Sequence, residues 1–249
     1  MAEHLTIVLD AGHGGGESGA EGHGIREEAA NQVVVDALAA ILRAEGHSVV
    51  QAPRVGVTAR GEWSAEKGAD VFVSVHHDSS DNSGARGTHG FYHNEQAVNG
   101  RRLATCLAEE VHAEFGVPFS YGAPSSDWFG KTLGVLRGGD NWRVTGAACL
   151  VEMMFVSNDE DAAIVKSDGY ARRAGLALAR GIHRYAGLPA PSGSGGGTSK
   201  PAEFEEARTW VRGLGISDGS DPGAPATREQ VWTMLRRLYG RLGGQPTNG

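Results

Sequence analysis

The spacing of apolar residues changes along the chain, and each change marks an element. Leu5 to Leu9 is a short continuous apolar run that predicts a strand. It ends at Asp10 and a glycine-rich stretch, DAGHGGGESGAEGHG. From about Glu28 to Ala44, Val34, Leu38, Ile41 and Leu42 fall at roughly helical spacing, and Gly46 is placed to stop the helix. His47 to Gln51 predicts a second strand, Arg60 to Lys67 a short helix, and Val71 to Val75 a strand of alternating valines. Thr88 to Tyr92 predicts a further strand, and Gln96 to Phe115 a long amphipathic helix ended by Gly116 and Pro118. Pro118 to Lys131 reads as a loop carrying Tyr121, Trp128 and Phe129. Two short strands, Gly134 to Arg137 and Ala147 to Met153, precede a last helix from about Tyr170 to Tyr185.

Short strands alternating with longer helices predict an α/β fold, a three-layer sandwich whose mostly parallel central sheet is flanked by helices. This main domain spans residues 1–187. Residues 188–200, LPAPSGSGGGTSK, offer nothing apolar to pack and predict a flexible linker. Residues 201–249 carry two amphipathic helical patterns around a turn, predicting a small helical C-terminal domain that is short for an independent core.

Charge narrows the function classes. Of the formal net charge of -7, the chain up to residue 198 holds 16 basic against 24 acidic residues, the remainder 7 against 6. An acidic main domain argues against nucleic-acid binding, while a near-neutral tail can approach an anionic wall without strong repulsion. Cys106 and Cys149 stand among apolar neighbours and read as buried free thiols made in a reducing compartment. MAEHLTIVLD lacks the pattern of a secretory signal, so synthesis in the cytoplasm is expected. The apolar stretch VVVDALAAIL is too short to span a bilayer, so no membrane insertion is expected.

Ligands of α/β sheets collect at the carboxyl ends of strands, and four polar residues stand at such places: His13, Glu27, His76 and Glu152. Two imidazoles and a carboxylate form a standard catalytic zinc set that leaves one position for water. Zn2+ polarises a carbonyl and activates water, as hydrolysis of an inert amide requires. A further acidic group must then move the proton, and Glu152, inside the apolar run AACLVEMMF, is the natural candidate. Each residue also has a plain structural reading. His13 can be a loop histidine, and His76 and His77 likewise. Glu27 and Glu28 suit the positive end of a helix dipole whatever the chemistry.

Taken in order, IVLDAGHGG, GIREEAAN, DVFVSVHHDSS, ARGTHGFYH, LGVLR and CLVEMMFVSNDED resemble the zinc-dependent N-acetylmuramoyl-L-alanine amidases of the third type. The resemblance spans roughly Leu5 to Tyr185. It implies cleavage of the amide between N-acetylmuramic acid and L-alanine in peptidoglycan. It assigns His13 and His76 as zinc ligands, Glu27 as the carboxylate ligand and Glu152 as the catalytic acid/base. Glu27 is preferred to Glu28 because Asn31 then falls where the family has asparagine. The family's SIHAN becomes Ser74-Val75-His76-His77-Asp78 here, which puts the choice between His76 and His77 in question. Its usual proline before GHGG is Ala11. No blocking helix is evident, so no obligatory activator is expected.

The tail, TWVRGLGISDGSDPGAPATREQVWTMLRRLYG, resembles one surface-layer-homology unit, implying that it binds a wall polymer. A helical hairpin packed on the main domain is the alternative. Family members include phage endolysins and spore-lysis enzymes, so without an export signal the resemblance implies a phage-type lysis enzyme acting on the wall after release or a mother-cell lysin of a sporulating bacterium. A zinc carboxypeptidase or aminoacylase is the competing enzyme class and would use an arginine such as Arg86 or Arg137 for a terminal carboxylate. A wall-binding protein with a dead amidase fold would have lost a ligand or Glu152, and none is lost.

Overall fold

The computed structural model describes residues 4–125, 132–192 and 233–234. The described residues up to 192 belong to one compact unit, Met1–Ser194. Its sheet has six strands: β1 (Thr6–Ala11), β4 (Ser48–Gln51), β5 (Val71–Asp78), β6 (Thr88–Tyr92), β7 (Phe119–Pro124) and β8 (Ala147–Phe155). They lie in the order β4-β1-β5-β8-β6-β7, and the β6–β8 pair is antiparallel while the others are parallel. A two-stranded ribbon, β2 (Glu21–Gly22) with β3 (Ile25–Arg26), sits in the glycine-rich connection. The α/β architecture expected from the alternation of elements is the one observed.

Alternation along each strand divides the core in two. Ile7, Leu9, Val71, Val73, Val75, Cys149 and Val151 face one layer of helices, α1 (Glu27–Ala44), α3 (Val98–Phe115) and the C-terminal helix of the unit (Tyr170–Ala186). Val8, Phe72, Ala148, Leu150 and Phe91 face the other, formed by α2 (Val57–Glu66) and a short helix α4 (Gly134–Arg137). After α4 come α5 (Asn141–Val144), α6 (Asp159–Val165) and α7 (Tyr170–Ala186). No helix among the described residues is long and apolar enough to cross a membrane.

Several elements differ from the sequence expectation, which did not include the β2–β3 ribbon or α5. Gly134 to Arg137 forms a helix, not a strand, because four residues carry too little periodicity to separate the two. Phe119–Pro124, read as loop, pairs with β6 as an edge strand. Asp159–Val165 is an unforeseen helix; its start is set by Asn158, whose side chain accepts from the backbone N–H groups of Glu160 and Asp161. Residues 126–131 with Trp128 and Phe129, the linker from residue 193, and the expected C-terminal domain lie outside the described residues, apart from 233–234.

A histidine pair fastens the two ends of the unit. The Leu5 N–H donates to His47 Nδ1 at 3.2 Å, so the His47 proton sits on Nε2. That nitrogen donates to His183 Nε2 at 2.9 Å, and His183 Nδ1 donates to the Pro189 carbonyl at 2.6 Å. Every ring nitrogen is matched only when both rings are neutral. Burial, then the His183 and His4 rings, hold the His47 pKa below its usual value against the pull of Glu45. The folded state therefore binds fewer protons than the unfolded chain below about pH 6.5. The stabilisation is complete above that pH and is lost as pH falls through the folded pKa. Between pH 7 and pH 5 the melting temperature of the wild type is expected to fall more than that of His47→Gln, read by calorimetry. Parallel curves would contradict the pairing.

Candidate metal centre

Strand β5 runs on through the histidine pair to Asp78, and period-two alternation sends neighbours to opposite faces. His77 goes inward, 1% exposed. Its Nδ1 donates to Asn31 Oδ1 at 2.8 Å and its Nε2 accepts from the Tyr170 hydroxyl at 2.7 Å. Burial pushes its pKa down to about 4, so it is a neutral core residue. His76 goes to the other face, where its ring lies over Gly12 so closely that a β-carbon there would meet the ring at 2.2 Å.

Glu27, the first residue of α1, is 4% exposed and gathers the site around its carboxylate. Oε1 lies 2.9 Å from His76 Nδ1 and accepts from the His77 N–H at 3.2 Å. Oε2 lies 3.2 Å from His13 Nε2 and accepts from the Ala20 N–H at 2.8 Å. Burial alone would raise this carboxyl, but the hydrogen bonds to His13 and His76 hold it well below the usual carboxylate range. The same bond raises the His13 pKa, against burial. Glu28 instead turns outward to Arg26 and Arg54, at 2.5 and 3.5 Å. Their directions on the helix bring Glu27, and not Glu28, to the two histidines.

His13, Glu27 and His76 each offer a donor atom, and these atoms lie within 4.8 Å of one another. Two imidazoles and a carboxylate converging on one point fit a divalent zinc ion. Gly19 (φ 68°) makes room for them, since a β-carbon there would meet Glu27 Oε2 at 2.5 Å and the His13 ring at 2.6 Å. His13 itself has φ 62°, a conformation uncommon for a residue with a side chain.

Arg60, which the sequence reading passed over, holds that conformation. It is 5% exposed on α2, and its guanidinium donates to the carbonyls of Ala11 (3.0 Å), His13 (2.6 Å) and Val55 (2.8 Å). Its charge is met by Asp10 at 3.2 Å, whose other oxygen accepts from the Ser74 hydroxyl at 2.6 Å. The available signal was Asp10, an acid near the end of a mostly apolar strand and so in need of a partner.

Glu152 is paired in register with His76 on one side and with His89 on the other. It is 8% exposed, and Oε2 is buried without a protein hydrogen-bond partner. Burial, and then the charges of Asp78 and Glu27, raise its pKa well above the usual carboxylate value. Burial also raises Asp78. Of the two arginines of the peptidase alternative, Arg86 is engaged by Glu160 and lies 3.4 Å from buried Asp161, while Arg137 is exposed on α4.

Residues 7–184 match the family described as N-acetylmuramoyl-L-alanine amidase. The chain belongs to this family. It is accordingly a peptidoglycan amidase, with the bacterial cell wall as substrate. The uncharacterized protein YqiI of Bacillus subtilis (strain 168) is 29% identical over 188 residues, 74% of this chain and 85% of that protein. The endolysin of Bacillus phage SPP1 is 26% identical over 192 residues, 75% of this chain and 68% of the endolysin. Among solved structures, the N-acetylmuramoyl-L-alanine amidase AmiC2 of Nostoc punctiforme superposes with a TM-score of 0.64 at 26% identity, covering 75% of this chain and 98% of that one.

Arg60→Met leaves the Asp10 carboxylate buried without its cation, a loss of about 3–5 kcal/mol for breaking a buried pair. Denaturant titration of this amidase is expected to show that loss, and Asp10→Asn combined with Arg60→Met should recover part of it. A single variant as stable as the wild type would contradict the role of the pair.

Proposed function

We propose that this amidase is zinc-dependent, with His13, Glu27 and His76 as metal ligands and Glu152 as the acid/base. The convergence of three donor atoms within 4.8 Å, beside a buried carboxyl with an unpartnered oxygen, carries the reading. When bound, zinc supplies Lewis-acid polarisation of the amide carbonyl and of water. The chain does the rest. Arg60 fixes the backbone of His13, and the Asn31 amide spans the Gly12 carbonyl and Glu27. Glu152 accepts the proton of the attacking water and returns it to the departing nitrogen of L-alanine. Its surroundings favour the protonated carboxyl, and a divalent cation at the neighbouring donors acts in the opposite sense, so the group can cycle between its two forms.

We further propose a lytic role of the endolysin kind, supported by the similarity to the SPP1 endolysin. In this reading the chain is made in the cytoplasm, reaches the wall after release, needs no obligatory activator, and binds no nucleic acid. The expected linker, residues 188–200, whose first residues stay with the compact unit through Pro189, leads to residues 201–249, a wall-binding unit of surface-layer-homology type.

Glu152→Gln keeps the shape and removes the proton acceptor, so turnover on purified peptidoglycan should fall by about 10² to 10⁴-fold. Metal content, measured by emission spectroscopy, should stay at the wild-type level, whereas His13→Ala should lose metal and activity together. A metal-replete Glu152→Gln enzyme with wild-type turnover would remove Glu152 from the mechanism. Truncation after Ser194 should retain turnover on soluble muropeptides and lose co-sedimentation with intact walls. Undiminished sedimentation would remove the binding role of the tail.

A further inference from the structure

The site residues lie in the order of the sheet. Arg54 follows β4, His13 follows β1, His76 is on β5 and Glu152 is on β8, which are successive neighbours. The His13–Glu27–His76 cluster thus has Glu152 on one side and Arg54 on the other. A cavity of about 450 Å³ opens on the Arg54 side, within the size range of small-ligand sites. Asp10, His13, His76 and Arg60 form its inner wall, and the segment Arg54–Val57 forms its lip. Val55 and Val57 are 46% and 57% exposed, so the lip presents apolar surface to an incoming ligand. Glu17, with Gly14 and Gly15 packed against Arg54, completes the lining.

The Arg54 guanidinium is held at this lip, donating to the Glu28 carbonyl at 3.2 Å. Its one carboxylate neighbour, Glu28, is shared with Arg26, which stands closer. The lip is also tied to the reaction centre, because Arg60 bonds the carbonyls of both Val55 and His13. The Arg54 guanidinium, the Glu17 and Asp10 carboxylates and two exposed valines suit a hydroxyl-rich ligand bearing methyl groups, since its polar groups find donors and acceptors and the methyls find apolar surface.

We propose that this cavity is the subsite for the acyl half of the substrate, the N-acetylmuramoyl group, with Arg54 donating to its oxygens and Val55 and Val57 contacting its acetyl and lactyl methyls. The proposal rests on the catalytic reading above. With the scissile carbonyl at the histidine cluster and the leaving nitrogen beside Glu152, the peptide departs over β8. The acyl side is left over β1 and β4, where the cavity lies. Specificity for the muramoyl group thus belongs to the segment between β4 and α2, physically apart from the groups that move protons.

The test compares two soluble substrates with the same L-alanyl peptide, one acylated by N-acetylmuramic acid and the other by (R)-lactic acid alone, using the zinc-loaded full-length enzyme. The wild type should prefer the muramoyl substrate in kcat/KM by at least about tenfold, the size of one good hydrogen bond to a charged donor. Arg54→Ala and, independently, Val57→Asn should each lower that ratio severalfold, with the change mainly in KM. Shortening the peptide should alter rates by the same factor in wild type and variants. A wild-type ratio near one, or a ratio that neither variant moves, overturns the proposal while leaving the amidase reading intact. Variants whose discrimination changes with peptide length, not with the sugar, place the peptide in the cavity and overturn it too. Failure to release the peptide from either substrate would instead reject the catalytic reading itself.

Discussion

A carboxylate buried at the carboxyl end of the sheet governs the arrangement of everything around it. Glu27 is removed from water, a state that is costly for a charged group unless it is densely hydrogen-bonded. Its two oxygens meet His13, His76, the Asn31 amide and the backbone N–H groups of Ala20 and His77. Those partners come from β1's loop, the ribbon connection, α1 itself and β5, so satisfying one carboxylate fixes the relative positions of four segments. The requirement also explains the glycines nearby, because a β-carbon at Gly12 or Gly19 would occupy space that the His76 ring or the Glu27 carboxylate fills.

A second buried charge supports the first. Asp10 and Arg60 neutralise one another beneath the loop, and Arg60 uses its remaining donors on backbone carbonyls that include the one of His13. Such a pair is a poor source of net stability compared with apolar packing, but it leaves few alternative arrangements for the residues it bonds. The uncommon backbone conformation of His13 is tolerable under that restraint. The placement of His13 thus depends on α2, an element that contributes no side chain to the candidate metal cluster.

Much of this was legible in the sequence, for identifiable reasons. The apolar runs of β1, β5 and β8 are long enough to be read as strands, and each carries a polar residue toward its carboxyl end, where ligands gather. Which of His76 and His77 faces Glu27 was open in sequence because both follow the same apolar run; alternation along β5 turns the His76 ring to Glu27 and buries His77. Arg60 could not be placed from sequence, since its partners come from residues 47 to 50 positions away. The GVLR segment failed for a different reason: four residues do not make a full period of either pattern.

The central claim is that one buried carboxylate and two imidazoles form a zinc site beside an unbonded acid. A crystal structure of the zinc-loaded enzyme tests it most directly. One zinc ion is expected at about 2.0–2.2 Å from His13, Glu27 and His76, with Glu152 outside the coordination sphere and His77 still bonded to Tyr170. Zinc bound through His77 or Glu152, or found away from Glu27, would contradict it.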